Sequence, residues 1–260
     1  MRIATWNVNS INARLPTALT VIGGLEADIV CLQELKCEDH KFPREAFEDL
    51  GWNVATHGQK TYNGVAILSK LPFDEVLPRL PGDDTDEQAR YLEAVVSTGG
   101  TAVRVASIYL PNGNPLGTEK FTYKLAWFER LRLRARELRD YEELCVLAGD
   151  YNVIPRDEDC YDPAAWKGDA LFQPESRAAY RALLNLGYTD AFMAADGGIH
   201  RYTFWDYQAG AWPKDHGIRI DHLALSPQAT DRLKSVKIHR AARGLEKPSD
   251  HVPISADLAI

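Results

Sequence analysis

The feature that most constrains the fold is a long series of short apolar runs rich in β-branched residues, several of which follow one another without a helical pattern between them. Such runs predict β-strands. A doubly wound parallel sheet needs a crossover helix between its strands, so this order disfavours that architecture. The predicted strands are Ile3–Val8, Ile29–Gln33, Val65–Ser69, Ala94–Val96, Val103–Leu110, Leu144–Ala148, Ile220–Leu225, Val236–His239 and Val252–Leu258.

Three segments instead carry helical periodicity. The clearest helix is Glu119–Arg139, and shorter ones are predicted over Arg44–Leu50 and Arg177–Leu186, each followed by a glycine that suits a helix C-terminus. Strands outnumber helices, so we predict a single α/β (α+β) domain over residues 1–260, with two packed, mostly antiparallel β-sheets flanked by helices. The apolar stripe of the longest helix is Phe121, Leu125, Phe128, Leu131, Ala135 and Leu138.

Composition excludes several classes of protein. Hydrophobic residues make up 45% of the 260 residues and charged residues 26%, which is typical of a globular domain and not of a disordered chain. No apolar run reaches the roughly 18 residues of a membrane span. The N-terminus does not resemble a secretory signal, and the four cysteines form no C-x-x-C pair, so we expect free thiols in a reducing, cytoplasmic setting. The net charge of −7 argues against indiscriminate nucleic-acid binding, although a local basic patch can still act.

Polar side chains recur where the predicted strands begin or end. Each has an ordinary explanation, because strands end in polar loops and Asn and Asp favour turns. If these ends converge on one edge of a two-sheet sandwich, the same residues form a cluster of oxygen and nitrogen atoms. Carboxylate and amide oxygens suit a hard cation such as Mg²⁺ better than zinc. The residues are Asn7, Asn9, Glu34, Tyr109, Asn112, Asp150, Asn152, Asp221, Asp250 and His251.

The stretch SDH at 249–251 contains the three residue types of a hydrolytic triad. In an extended segment, however, Asp250 points away from the face that carries Ser249 and His251, so it is badly placed to orient the His251 ring. The chain also lacks a G-x-S-x-G elbow. We therefore reject a serine triad and predict that Asp221 orients His251.

Eight stretches, in order along nearly the whole chain, carry a family resemblance. They are WNVNSINA (6–13), CLQELK (31–36), HGQKTYNGVAILS (57–69), YLPNG (109–113), AGDYNV (148–153), YTFWDY (202–207), GIRIDHLALS (217–226) and EKPSDHVPI (246–254). Together LQE, GDxN and SDH are typical of the endonuclease/exonuclease/phosphatase superfamily. HGQK, RID and EKPSDH point to its exonuclease III branch, the class II abasic-site (AP) endonucleases, which the chain resembles.

The resemblance implies a four-layer α/β sandwich and a Mg²⁺-dependent DNA repair nuclease, with Mn²⁺ able to replace Mg²⁺. It implies cleavage on the 5′ side of abasic sites, 3′–5′ exonuclease activity, and 3′-phosphatase or phosphodiesterase activity in base excision repair. We expect a monomer that acts on double-stranded DNA with abasic sites or blocked 3′ ends, with no membrane partner.

The resemblance also implies roles for individual residues. The implied metal ligands are Asn7, Glu34, Asp150, Asn152, Asp250 and His251. The implied catalytic residues are Tyr109, Asp150, Asn152, Asp221 and His251. The implied DNA contacts are Arg90, Asn112, Phe204, Ile218 and Ile220, with Trp205 close by, and Lys120 and Lys124 are further candidates because they lie just after the YLPNG loop. Among these contacts Phe204, Ile218 and Ile220 wall a pocket for an extruded, base-less sugar.

Alternatives stay open on the sequence. A superfamily phosphoesterase acting on inositol phosphates or phospholipid head groups would use the same core. A non-catalytic DNA-binding module would tend to lose site residues, and here every expected polar position is filled. The basic stretch ERLRLRARELR (129–139) could grip phosphates, but we interpret it as a solvated helix face paired with Glu129 and Glu137. We interpret His222 as a strand residue with a local partner.

Overall fold

The computed structural model describes residues 1–260 and contains twelve strands in two sheets, with eight α-helices and three short 3₁₀ helices. The strands are β1 (Arg2–Asn7), β2 (Ile29–Gln33), β3 (Asn53–His57), β4 (Val65–Ser69), β5 (Phe73–Pro78), β6 (Tyr91–Thr98), β7 (Thr101–Tyr109), β8 (Leu144–Asp150), β9 (Thr189–Asp190), β10 (Asp221–Leu225), β11 (Leu233–Ile238) and β12 (Ile254–Leu258). The α-helices are α1 (Leu15–Gly24), α2 (Arg44–Glu48), α3 (Glu119–Asp140), α4 (Pro163–Trp166), α5 (Pro174–Leu184), α6 (Ala191–Ala195), α7 (Ala211–Lys214) and α8 (Pro227–Thr230). The 3₁₀ helices are Asp39–Lys41, Asp157–Asp159 and Arg240–Gly244.

Both sheets have six strands and a similar arrangement of strand directions. The first has the strand order β11-β12-β1-β2-β4-β3, and the second has the order β5-β6-β7-β8-β10-β9. Four of the five strand pairs in each sheet are antiparallel, which confirms the predicted arrangement. The exceptions are the parallel pairs β1–β2 and β7–β8 near the middle of each sheet. Parallel strands end at the same edge, so the residues that follow each such pair emerge side by side.

The layers are held by three apolar clusters. Between the sheets, residues such as Cys31 and Ile67 of the first sheet pack against Val105 and Val146 of the second. On the outer face of the first sheet lies α1, and on the outer face of the second lie α3 and α5. The order helix, sheet, sheet, helix is the predicted four-layer sandwich, and it leaves the strand ends free to form a site.

The structure also contains elements that the sequence patterns did not predict. Strands β3 and β5 lie at the edges of their sheets, β3 with mostly half-buried side chains and β5 with mostly exposed ones, and neither has a run of buried apolar residues. Helix α1 is short and ends in two glycines. In α3 the predicted stripe is rotated at its start, where Lys124 and Trp127 are buried and Phe121 and Leu125 are only half-buried.

The four cysteines are free thiols, as predicted, and all four are buried. None of the helices combines the length and the apolar character that a membrane crossing requires.

Candidate active site

The ends of both parallel strand pairs meet in one polar cleft of about 240 Å³. In the second sheet, Asp150 is in register with Tyr109 on β7 and with Asp221 on β10, so these three residues form a row. In the first sheet, Asn7 ends β1 and Glu34 directly follows β2. The predicted convergence of strand ends is therefore present, with contributions from both sheets.

Gly149, the residue before Asp150, allows β7 and β8 to lie close together at the cleft. A Cβ atom at Gly149 would lie 1.9 Å from the carbonyl oxygen of Ile108, so no larger residue fits unless β7 and β8 separate. After the strand, Asp150 Oδ1 accepts a hydrogen bond from the Asn152 backbone N–H at 2.9 Å. Asn152 has a left-handed backbone (φ 46°), which asparagine tolerates better than most residues, and its Nδ2 donates to the carbonyl of Leu110 at 2.8 Å.

One amide group links the carboxylates of the two sheets. Asn7 Nδ2 donates to Glu34 Oε1 and to Asp150 Oδ2, both at 3.0 Å. Glu34 Oε1 also accepts from the Tyr109 hydroxyl at 2.8 Å, and Glu34 Oε2 pairs with Lys36 Nζ at 2.9 Å. Burial opposes the charge of Glu34, but the groups of Asn7, Lys36 and Tyr109 outweigh it and lower the pKa of this carboxyl. Glu34 is therefore an ionised carboxylate at neutral pH.

His251 contacts Asp221, as predicted. Its Nδ1 lies 2.8 Å from Asp221 Oδ2, and its Nε2 lies 3.7 Å from Asp150 Oδ2. Burial disfavours the imidazolium, but the carboxylates of Asp221 and Asp150 outweigh it and raise the pKa of His251 to about 10. Burial, with the nearby Asp221, raises the pKa of Asp150 to about 7, while His251 and Asn7 oppose that rise. His251 is therefore a positive centre between the two acids.

Ser249 and Asp250 take other positions than a serine triad requires. Ser249 Oγ donates to the backbone carbonyl of Asn7 at 2.8 Å and accepts from the His251 backbone N–H at 3.2 Å. It therefore fixes the loop. Asp250 lines the cleft, where its Oδ1 accepts from Asn9 Nδ2 at 3.0 Å.

The acidic cluster can hold a metal ion. Asp150, Asp221 and His251 place ligand atoms within 4.8 Å of one another, and Asp221 Oδ1 is buried with no hydrogen-bond partner. The hydrogen bond between Asp221 and His251 uses two of these atoms, and Glu34, Asp150 and Asp250 line the same cleft with further carboxylate oxygens. Oxygen donors of this kind fit a hard cation. The amide groups of Asn7 and Asn152 are already engaged in hydrogen bonds within the protein.

Phe204, Ile218 and Ile220 form an apolar wall of the cleft, as the resemblance implied. The Phe204 ring meets the His251 ring edge to face at 4.9 Å, and its backbone pairs with that of Ile218. Four further residues line the cleft and were not predicted: Trp166, Asp169, Leu171 and Asp206. The first three lie in α4 and the irregular segment after it, where no periodicity marks them. Asp206 carried a weak signal, since it stands two residues after Phe204.

The predicted DNA contact of Trp205 is corrected by the structure. Its side chain is fully buried, meets Trp212 edge to face at 4.9 Å, and donates its ring N–H to Asp215 at 2.9 Å. It does not line the cleft. Its backbone N–H donates to the carbonyl of Asp250, so Trp205 supports the loop that carries Asp250 and His251.

The predicted DNA contact of Lys124 is also corrected. Lys124 is fully buried on the inner side of α3, and its Nζ donates to the backbone carbonyls of Asn112 at 3.0 Å and Asn152 at 2.5 Å. A side chain in this position cannot reach a phosphate. Burial lowers the pKa of Lys124 to about 7.

Arg90 and Asn112 lie beside the cleft in a second, polar groove of about 400 Å³ that also contains the exposed Lys120. Arg90 Nε donates to Gln88 at 2.7 Å, and its guanidinium lies 4.8 Å from the centre of the Tyr109 ring. Asn112 Nδ2 donates to Asn152 Oδ1 at 3.2 Å and joins the groove to the cleft.

The basic side of α3 is largely paired within the chain. Arg132 binds Glu129 at 2.6 Å, as we interpreted it. Arg134 binds Glu137 but also the fully buried Glu93 at 2.7 Å. These partners leave little of this surface for phosphates.

The comparisons with known proteins agree with this geometry. Residues 4–251 match the Endonuclease/Exonuclease/phosphatase family. Exodeoxyribonuclease III of Haemophilus influenzae is 32% identical over 99% of this chain and 99% of its own. A 3′ phosphatase from Neisseria, solved with a product DNA hairpin, is 39% identical with a TM-score of 0.96 and full coverage of both chains. An AP endonuclease from Archaeoglobus fulgidus is 34% identical with a TM-score of 0.93, again over both full chains.

The chain therefore belongs to the endonuclease/exonuclease/phosphatase family. Within that family it belongs to the exonuclease III branch, as the resemblance of its motifs predicted.

Proposed function

We propose that the protein is a Mg²⁺-dependent DNA repair nuclease that hydrolyses phosphodiesters in duplex DNA. It cuts on the 5′ side of abasic sites and removes nucleotides, phosphates and other blocking groups from 3′ ends. Residues 1–260 act as one domain and as a monomer, in the reducing cytoplasm that suits its free thiols. All these activities are one reaction, the attack of water on a phosphorus ester.

The observation that carries the proposal is the convergence of Glu34, Asp150 and the Asp221–His251 pair beside an apolar wall. The relatives support it, since their names describe an exodeoxyribonuclease, a 3′ phosphatase and an AP endonuclease. Hydrolysis of a phosphodiester in water is extremely slow, so several charge-stabilising groups must act on the same phosphate. This cleft contains such groups on both sheets.

In this mechanism Asp150 orients the attacking water and accepts its proton. The hydrogen bonds from Asn7 and Asn152 leave its carboxylate in a fixed direction.

His251 faces the phosphate as an imidazolium that Asp221 holds in place. Its charge and its Nε2–H stabilise the negative charge that develops on the phosphate oxygens. Tyr109 and Asn152 also line the cleft, where Tyr109 holds Glu34 through its hydroxyl and the Asn152 amide has a second N–H that can reach a phosphate oxygen.

Glu34 and Asp150 would hold the metal ion, with Asp250 as a further carboxylate at the cleft. When bound there, Mg²⁺ would act as a Lewis acid on the scissile phosphate.

The apolar wall accounts for a preference for damaged DNA. Phe204, Ile218 and Ile220 can enclose a deoxyribose that has lost its base, and an absent base lowers the cost of extrusion because no stacking is broken. Arg90, Asn112 and Lys120 lie in the adjacent groove, where a DNA backbone can pass.

A substrate panel tests the proposal. The substrates are an abasic duplex, a duplex with a 3′-phosphate, a recessed 3′ end, a single strand and a soluble inositol phosphate, each with Mg²⁺ and with a chelator. We expect Mg²⁺-dependent cleavage of the first three and no turnover of the inositol phosphate.

Asp150→Ala should remove this cleavage, whereas Asp74→Ala, at an exposed position on the edge strand β5, should retain it. Turnover of the inositol phosphate without any DNA cleavage would overturn the proposal.

A further inference from the structure

Lys124 occupies an unusual environment for a lysine. Its side chain is fully buried, and its ammonium group donates to two backbone carbonyls instead of forming an ion pair with a carboxylate. Buried charges are normally paired with an opposite charge, because an unpaired one is costly to remove from water. A lysine in this position therefore requires an explanation beyond packing.

The two carbonyls belong to residues that line the cleft. Asn112 lies in the loop after β7, and Asn152 lies in the turn after β8. Their side chains contact each other, since Asn112 Nδ2 donates to Asn152 Oδ1 at 3.2 Å. The backbone N–H of Asn152 also donates to Asp150 Oδ1 at 2.9 Å. Lys124 therefore holds the residue, Asn152, whose backbone N–H in turn binds the carboxylate that would orient the water.

The surroundings of Lys124 are closely fitted to its shape. A Cβ atom at Gly113 would lie 2.7 Å from Lys124 Cδ, so the lysine methylene chain packs directly on the glycine backbone. The Asn152 carbonyl that it binds belongs to a residue in the left-handed region, with φ of 46°. A backbone of this kind persists only where surrounding contacts hold it.

We infer that Lys124 is a positioning residue for the reaction. By binding the carbonyls of Asn112 and Asn152, it fixes both loops so that the two asparagine amides face the phosphate and Asp150 keeps its direction. The inference rests on the proposed nuclease function, and it concerns how the geometry of that site is maintained from inside α3.

The test replaces Lys124 by methionine, which has a similar length but no donor. We expect kcat on an abasic duplex to fall by about 10- to 100-fold, because small displacements of reacting groups are costly. KM should change by less than about threefold, since the DNA-facing residues remain. Circular dichroism and the unfolding midpoint establish that the variant is folded at the assay temperature.

Leu131→Ala is the matched control, because Leu131 is a buried residue of the same helix without a contact to either loop carbonyl. It should lower the unfolding midpoint and leave kcat within about twofold, so that a loss of kcat in Lys124→Met cannot be attributed to a weakened helix.

Unchanged kcat in Lys124→Met would overturn the inference, and so would a raised KM with normal kcat. Should Lys124→Met fail to fold, Lys124→Gln is measured instead; because it keeps an N–H donor for the two carbonyls, it should retain kcat within about tenfold, and a fall of about 100-fold or more in the folded variant would overturn the inference. If the unmodified protein cleaves no DNA, the proposed function fails first and this inference falls with it.

Discussion

Two buried clusters of charged residues both draw members from residues 219–222, and they are balanced in opposite ways. In the Arg219 cluster, formed by Arg219, Asp159, Asp190 and His222, the guanidinium binds Asp159 at 3.0 Å, Asp190 at 2.9 Å and the His222 ring at 2.9 Å. In the cleft, Asp150 and Asp221 share one imidazolium, and Asp221 Oδ1 has no partner.

The two clusters shift the pKa of their aspartates in opposite directions. Although burial opposes its charge, Arg156 and Arg219 lower the pKa of Asp159 to about 2, so its ionised form is favoured. Burial raises the pKa of Asp150 to about 7, so its ionised form is disfavoured. A cluster whose charges are matched stabilises the fold. A cluster with excess negative charge is available for a cation and for proton transfer.

The largest effect on stability is expected from breaking the balanced cluster. Asp159→Asn leaves the buried Arg219 with one carboxylate partner fewer, and a broken buried pair costs about 3–5 kcal/mol of unfolding free energy. At a temperature where the variant is folded, kcat should stay within about threefold, since Asp159 does not line the cleft. Urea denaturation and steady-state kinetics measure the two quantities. Asp157→Asn, at the exposed neighbouring position, is the control, and a wild-type stability for Asp159→Asn would contradict the comparison.

Asp221→Asn in the cleft should instead lower activity much more than stability. Asparagine can still contact His251 but no longer supports its positive charge, so kcat should fall by about 10²- to 10³-fold. The unfolding free energy should fall less than in Asp159→Asn, because Asp150 still lies 3.7 Å from the buried imidazolium of His251. Turnover within threefold of the unmodified protein would show that the Asp221–His251 pair has only a structural role.

A smaller effect is expected from pH. Burial and the adjacent Arg219 lower the pKa of His222 from 6.5 to about 4, so the unfolded chain binds a proton that the folded chain refuses. His222 therefore does not lower the unfolding free energy above pH 6.5. As the pH falls towards 4, the unfolding free energy decreases by about 2–3 kcal/mol because the unfolded chain takes up this proton. His222→Asn should flatten the difference between denaturation curves at pH 7 and pH 4.5. Parallel pH dependence in both proteins would contradict the assignment.

Much of the fold could be predicted because the central strands are buried on both faces and read as plain apolar runs. Strands such as β2 and β4 coincide with their predicted bounds. The contact between Asp221 and His251 could be predicted because neighbouring side chains of an extended segment point to opposite faces. The edge strands β3 and β5 could not be predicted, since neither has a run of buried apolar residues.

The errors at the site have a common cause. Lysine and tryptophan beside a predicted DNA surface suggested contacts with DNA, but periodicity does not show which side of a loop or helix is covered. Lys124 and Trp205 are buried because their polar groups find partners inside the protein, Lys124 on two carbonyls and Trp205 on Asp215. Trp166 and Leu171 reach the cleft through an irregular segment, whose course no local pattern determines.

The most direct test of the central claim is the single-turnover cleavage of an abasic duplex by Asp150→Asn, with its unfolding free energy measured on the same preparation. Removal of a carboxylate that handles the water should lower the rate constant by about 10³-fold or more. The unfolding free energy at pH 8 should be equal to or higher than that of the unmodified protein, because burial disfavours the charge that the substitution removes. Cleavage within tenfold of the normal rate, or a loss of stability like that expected for Asp159→Asn, would contradict the account.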